Sequence, residues 1–137
     1  MSHDIRRSSM SEPSTIVLKA CPEAVKQARE FIAMVFGAWG LDDEIARTIV
    51  SELTTNAIRH GSEGDDLVIV RAYLLDGRPV VETWDRSASM PVTRVPGLDS
   101  ESGRGLLLVE ALARRWGCRP LTDGGKVVFA ELEARTK

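Results

Sequence analysis

Between Asp65 and Trp84 the sequence offers two strand-like runs with one obvious place to turn. Asp65–Leu75 is rich in Val, Ile, Leu and Tyr, and Val80–Trp84 continues in the same vein. Asp76-Gly77 lies between them, a pair suited to the positive φ angles of a tight hairpin turn. An antiparallel hairpin is therefore predicted at the centre of the chain. It needs an apolar partner layer, because two strands alone rarely hold together in water.

That layer is available upstream. Val25, Ala28, Phe31, Ile32, Val35 and Phe36 recur at helical spacing after Pro22, with Gly37 and Gly40 loosening and ending the helix. Asp42 and Asp43 put negative charge where a second helix should begin, and that helix runs to about Arg59 with Gly61 as its stop. Thr15–Ala20 is a short strand, and residues 1–13 form a polar, Ser-rich tail expected to be disordered. Downstream, residues 86–103 lack any period and suggest a functional loop. A third helix is expected from about Gly105 to Arg115, then a terminal hairpin, Trp116–Pro120 and Lys126–Leu132, around Asp123-Gly124-Gly125. The order predicts an α+β two-layer sandwich, residues 14–137 forming one domain: an antiparallel or mixed sheet with helices on one face.

Composition removes several function classes. The 137 residues carry a net charge of −2, without the basic excess of a nucleic-acid binder. An apolar fraction of 43% is enough for a core without disulfides or structural metals. Cys21 and Cys118 are expected to be reduced thiols of a cytoplasmic protein, since no signal-peptide pattern or membrane-spanning run is present. With His3 and His60 they make a poor zinc set.

Three features carry chemistry. On the second helix Ile45, Ile49, Leu53 and Ala57 form the apolar stripe, and Glu52 and Asn56 sit together on its edge with His60 one turn further. Spacing alone fits a partly exposed helix end. It also admits a metal or phosphate site in which the Asn carbonyl oxygen binds Mg²⁺, which needs only one or two protein ligands. Next, Trp84-Asp85-Arg86-Ser87 places a carboxylate at a strand end, able to accept from an exocyclic amino group or to cap the following turn. Finally, Gly103-Arg104-Gly105-Leu106 opens the third helix, where free N–H groups and an arginine suit phosphate. The run is neither a dinucleotide fingerprint nor a Walker A loop.

Taken together these segments resemble the GHKL (histidine-kinase-like) ATPase superfamily over roughly residues 15–133. Glu52-Leu53-Thr54-Thr55-Asn56-Ala57-Ile58-Arg59-His60-Gly61 resembles its N box. Trp84-Asp85-Arg86-Ser87 through Met90-Pro91 resembles the first glycine box, and Ser102-Gly103-Arg104-Gly105-Leu106-Leu107-Leu108-Val109 the second. The pattern is most similar to the stand-alone anti-sigma-factor serine/threonine kinase branch. The resemblance implies ATP and Mg²⁺ as cofactors, with Asn56 holding the metal. It makes Glu52 the general base or water-orienting carboxylate, and it has Asp85 read the adenine amino group. Gly103, Arg104 and Gly105 lie along the phosphates under a mobile lid, residues 92–102. Ser87, Met90, Leu106, Arg59 and His60 complete the implied nucleotide-contacting set.

The implied partners are a sigma factor and an anti-anti-sigma antagonist, with no nucleic acid or membrane contacted directly. The apolar faces of residues 15–36 suit either a homodimer contact, as in relatives, or the intramolecular core. Three departures stand out. Ser87 and Ser89 occupy positions where many relatives have glycine, and Lys126 follows Gly125 where a threonine near the adenine is frequent. The segment from Pro91 to Gly103 is also short. They bear on turnover more than on binding, and leave open a non-catalytic module that sequesters a regulator.

Overall fold

The computed structural model describes residues 9–61, 66–86, 100–122 and 124–137. In chain order it contains β1 (Ser14–Lys19), α1 (Glu23–Trp39), α2 (Glu44–Gly61), β2 (Leu67–Leu75), β3 (Arg78–Asp85), α3 (Ser100–Leu112), β4 (Arg115–Pro120) and β5 (Lys126–Glu131). The five strands form one sheet in the order β1-β2-β3-β5-β4, with every neighbouring pair antiparallel. This is the expected α+β sandwich, and its sheet is antiparallel rather than mixed. None of the described helices is long and apolar enough to cross a membrane.

The central hairpin forms as its sequence predicts. Leu75 pairs with Arg78, so Asp76-Gly77 is a two-residue loop, and both residues have positive φ, 52° and 83°. Such a turn matches the twist of the flanking strands. With register set, alternate residues separate cleanly. Val68, Val70, Ala72, Val81, Val128 and Ala130 face the helices and join Phe31, Ile32 and Phe36 of α1 and Ile49, Val50 and Leu53 of α2 in one core. Val109 of α3 is part of the same cluster. Each large side chain buried this way contributes about 1.5–3 kcal/mol.

Two boundaries differ from expectation. Residues 9–11, assigned by sequence to the tail, extend the sheet edge instead. The Ser11 N–H donates to the Leu74 carbonyl at 2.9 Å, the Leu74 N–H to Ser11 Oγ at 2.8 Å, and the Asp76 N–H to the Ser9 carbonyl at 2.7 Å. Unpaired edge groups of β2 beyond the reach of β1 explain why a polar segment without a hydrophobic period still docks there. The third helix starts earlier than expected, at Ser100, and ends at Leu112.

The opposite face of the sheet is charged yet buries two carboxylates. Glu82 accepts from the Tyr73 hydroxyl at 2.7 Å and from Trp84 Nε1 at 2.9 Å, with Arg71 and Arg119 at 3.8 and 3.9 Å. Glu131 accepts from Arg115 Nε at 2.8 Å and Arg114 Nε at 3.1 Å. The Arg71 guanidinium lies 5.2 Å from the Trp84 ring centroid, and Arg115 lies 6.0 Å from that of Phe129. Arginine stems and aromatic rings thus cover this face in place of a second helical layer.

Burial, the hydrogen bond to Glu82 and the negative charge of Glu82 push the Tyr73 phenol up from its usual 10.0 to about 12, against Arg119 and Arg71. A phenol with a raised folded pKa holds its proton more tightly folded than unfolded. Its contribution is complete below about pH 10 and is lost as pH rises towards 12. Urea midpoints should therefore fall across that window in the native protein, and fall less in Tyr73→Phe.

Candidate functional site

Topology gathers several chain segments at one end of the sheet. Lys19 pairs with Leu67, Ile69 with Trp84, Asp85 with Lys126, and Lys126 with Pro120. The end of β1, the start of β2, the ends of β3 and β4 and the start of β5 therefore lie side by side. α2 ends at Gly61, shortly before β2 begins at Leu67, and it packs on β2. α2 also packs on both β3 and α3. In this way α2, β3 and α3 become neighbours although distant in sequence.

Asp85 closes β3 on the helix-facing side, with its side chain fully buried. Lys126 Nζ donates to Asp85 Oδ1 at 3.0 Å, and the lysine side chain is only 3% exposed. The two residues are direct cross-strand partners. Gly125 locks this junction. Its φ is 91°, and a Cβ there would lie 2.5 Å from the Asp85 carbonyl oxygen and 3.1 Å from Arg86 Cα. Cys118 is close enough to sense the pair: burial pushes its thiol pKa up, Lys126 opposes that shift and Asp85 adds to it. Two residues back along β3, the Thr83 hydroxyl is buried with no hydrogen-bond partner among the described residues, as is Thr54 Oγ1 on α2.

On α2, Asn56 and Glu52 are both half-buried and Arg59 is exposed. Asn56 lies five residues before Gly61, about 7–8 Å from the helix end. Glu52, one turn further back, also borders a shallow groove with Arg29, Arg47 and Ser51, on the side towards α1. Leu106 is buried, anchoring α3 at 3% exposure. Because α3 begins at Ser100, Gly103-Arg104-Gly105 lies past its first three residues and does not open it. This corrects the expectation that the run supplies a helix mouth, since the orphaned N–H groups belong to the first turn. Ser100, Glu101 and Ser102 contain no helix breaker. Ser87 and Met90 lie outside the described residues, as do the expected lid up to residue 99 and the side chains of His60 and Arg104.

A cavity of about 450 Å³ opens at this end, lined by Leu67, Ile69, Trp84, Asp85, Arg86 and Leu121 among others. Leu67, Ile69 and Trp84 belong to the face away from the helices, so the cavity wraps the sheet end. The lysine on Asp85 is what the sequence reading lacked. Lys126 stands out there only as a substitution, because β3 and β5 are not consecutive and their pairing carries no local signal.

Gly125→Ala should cost about 1–3 kcal/mol of stability from backbone strain and the clash with β3. Gly124→Ala, with a similar φ of 89° but nothing within 4 Å, should cost less. Urea titration of the two variants compares them directly.

With this geometry in view, the likeness to known proteins is informative. No curated protein matches the chain. Among solved structures, that of the RsbU and RsbW domains of Rv1364c from Mycobacterium tuberculosis is similar, with a TM-score of 0.66 and 23% identity. The match covers 93% of this chain and 35% of that one, so this chain spans about a third of its length. The model of the histidine kinase-like ATPase domain matches residues 18–131, which takes in every described helix, strands β2 to β5 and the last two residues of β1. The chain belongs to the histidine kinase-like ATPase domain family.

Proposed function

We propose that this chain is an ATP-binding regulatory protein of the anti-sigma-factor type, a serine/threonine protein kinase acting by partner switching in the cytoplasm. The observation that carries the reading is the buried carboxylate of Asp85 at the end of β3, a strand on which α2 packs. A carboxylate held there by strand pairing suits an exocyclic amino group. The family match over residues 18–131 supports the nucleotide class. The similar solved structure contains an RsbW domain, which supports a regulatory role.

The residues suit the cofactors in kind. Asn56 offers a hard amide oxygen on a half-buried helix edge, and a magnesium ion usually takes few protein ligands beside phosphate oxygens. Mg²⁺ would neutralise charge on the phosphates and ATP would supply the phosphoryl group. Glu52 would orient the serine hydroxyl of an antagonist protein and take its proton. Arg59, His60, Ser87, Met90, Gly103, Arg104, Gly105 and Leu106 are proposed as further nucleotide contacts. The partners proposed are a sigma factor and its anti-anti-sigma antagonist.

A second reading is a non-catalytic module that binds a regulator without phosphorylating it. The groove that Glu52 shares with Arg29 and Arg47 favours this reading, since it offers the carboxylate an environment on the helix surface. Calorimetry with Mg-ATP tests the nucleotide site: Asn56→Ala should abolish binding, and an unchanged affinity would remove Asn56 from it. Transfer of labelled phosphate to an antagonist protein separates the two readings. Loss of transfer in Glu52→Ala supports the kinase, whereas tight partner binding without transfer in the native protein supports the module.

A further inference from the structure

The sheet face turned away from the helices separates charge by depth. Among the described residues, ion pairs of 4.0 Å or less gather Arg71, Arg78, Arg114, Arg115 and Arg119 around Glu82, Glu131 and Glu133. The Glu82 and Glu131 side chains are 2% and 8% exposed, whereas those of the arginines run from 24% at Arg71 to 64% at Arg115. Apart from Glu133 at its rim, this cluster therefore shows solvent its guanidinium groups. The chain as a whole has 18 Lys and Arg against 20 Asp and Glu. Without the five arginines and three glutamates of the cluster, 13 stand against 17, a charge of −4. Positive charge is concentrated on one face of an otherwise acidic protein.

The guanidinium groups are also held in place. That of Arg71 lies 5.9 Å from the Tyr73 ring centroid and 5.2 Å from that of Trp84, and that of Arg115 lies 6.0 Å from the Phe129 centroid. Gly117 leaves the space that the Phe129 ring occupies, since a Cβ there would lie 2.9 Å from Phe129 Cζ. Stacked and paired in this way, an arginine loses little further freedom on meeting a ligand. Beside the cluster the same face turns apolar. Arg119, Val127, Trp84 and Ile69 form one cross-strand row over β4, β5, β3 and β2. Ile69 and Trp84 line the cavity of about 450 Å³ together with Leu67, which is 49% exposed. Three strand spacings separate the ends of that row, about 14 Å or roughly four residues of extended chain.

We propose that this face docks an acidic segment of a partner protein, with carboxylates on the arginine cluster and one large apolar side chain in the cavity beside Trp84. The planar fork of a guanidinium matches a carboxylate, as Glu131 shows by accepting from Arg115 Nε and Arg114 Nε. A second copy of this chain does not fit in a two-fold contact, which would set the same arginines against each other. Single-stranded nucleic acid fits less well. Guanidinium groups already cover the rings on which bases would stack, and the negative remainder of the chain repels a polyanion. The surface goes beyond the nucleotide site and does not depend on what Asp85 binds.

The test selects a random peptide library on the full chain and measures a labelled selected peptide by fluorescence anisotropy. Selected peptides should be rich in Asp and Glu around a large apolar residue. Combining Arg78→Gln with Arg119→Gln should weaken the peptide at least about tenfold and flatten its salt dependence. These arginines stand 4.0 and 3.9 Å from their glutamates, so removing them disturbs the network least. Leu67→Ser should weaken the same peptide and leave its salt dependence unchanged. Circular dichroism checks folding, and Arg119→Gln alone decides if the double variant does not fold. A library without binders, binders without an acidic excess, or affinity unchanged in the arginine variants overturns the proposal. Tighter binding of oligothymidylate than of the peptide overturns it in favour of nucleic acid. Self-association of the native chain that Leu67→Ser abolishes gives the face to a second copy and overturns it equally.

Discussion

The register of β3 against β2 is the constraint on which the rest depends. It is set by the two-residue Asp76-Gly77 loop, with Leu75 opposite Arg78. Side chains alternate along a strand, so a slip of one residue would exchange its faces. Val81, Thr83 and Asp85 would then leave the helices, and the Glu82 carboxylate would be driven into an apolar core. Because β3 lies between β2 and β5, the same slip would separate Asp85 from Lys126. One turn thus determines both the packing layer and the chemistry at the sheet end.

The two faces of the sheet solve burial by different means. Towards the helices the strands supply mainly Val and Ala, leaving room for Phe31, Ile32, Phe36, Ile49 and Leu53. On the other face the cover is built from arginine stems and aromatic rings over Glu82 and Glu131. Each carboxylate there meets more than one donor, which is the condition under which a buried charge is tolerated. The same network fixes the Tyr73 and Trp84 side chains by their polar ends. Trp84 also lines the cavity at the sheet end, so the charged face and the candidate site share a wall.

Much of this was legible in the sequence where the signal was local. Helical periodicity located α1 and α2, and Asp76-Gly77 located the hairpin, because both depend on neighbours along the chain. The start of α3 was not legible. Glycines at 103 and 105 look like a helix opening, but propensity is a weak signal and the Ser-Glu-Ser run before them permits helix. The docking of Ser9–Ser11 was missed for a different reason. Its hydrogen bonds use backbone groups and one serine hydroxyl, so no apolar pattern marks it. At the site, Asp85 was recognisable as a strand-end carboxylate and Asn56 as a polar intruder on a helix edge. The partner of Asp85 could not be read, because it comes from a strand 41 residues away in sequence.

That partner gives the site a physical character of its own. Two charges removed from water at the end of a sheet are sustained only by each other and by whatever else reaches them. Gly125 lets the backbones approach so closely that a Cβ there would lie 2.5 Å from the Asp85 carbonyl oxygen. By linkage, whatever binds there also stabilises the strand ends that hold it. Binding of any ligand at Asp85 would therefore be coupled to the integrity of the sheet end.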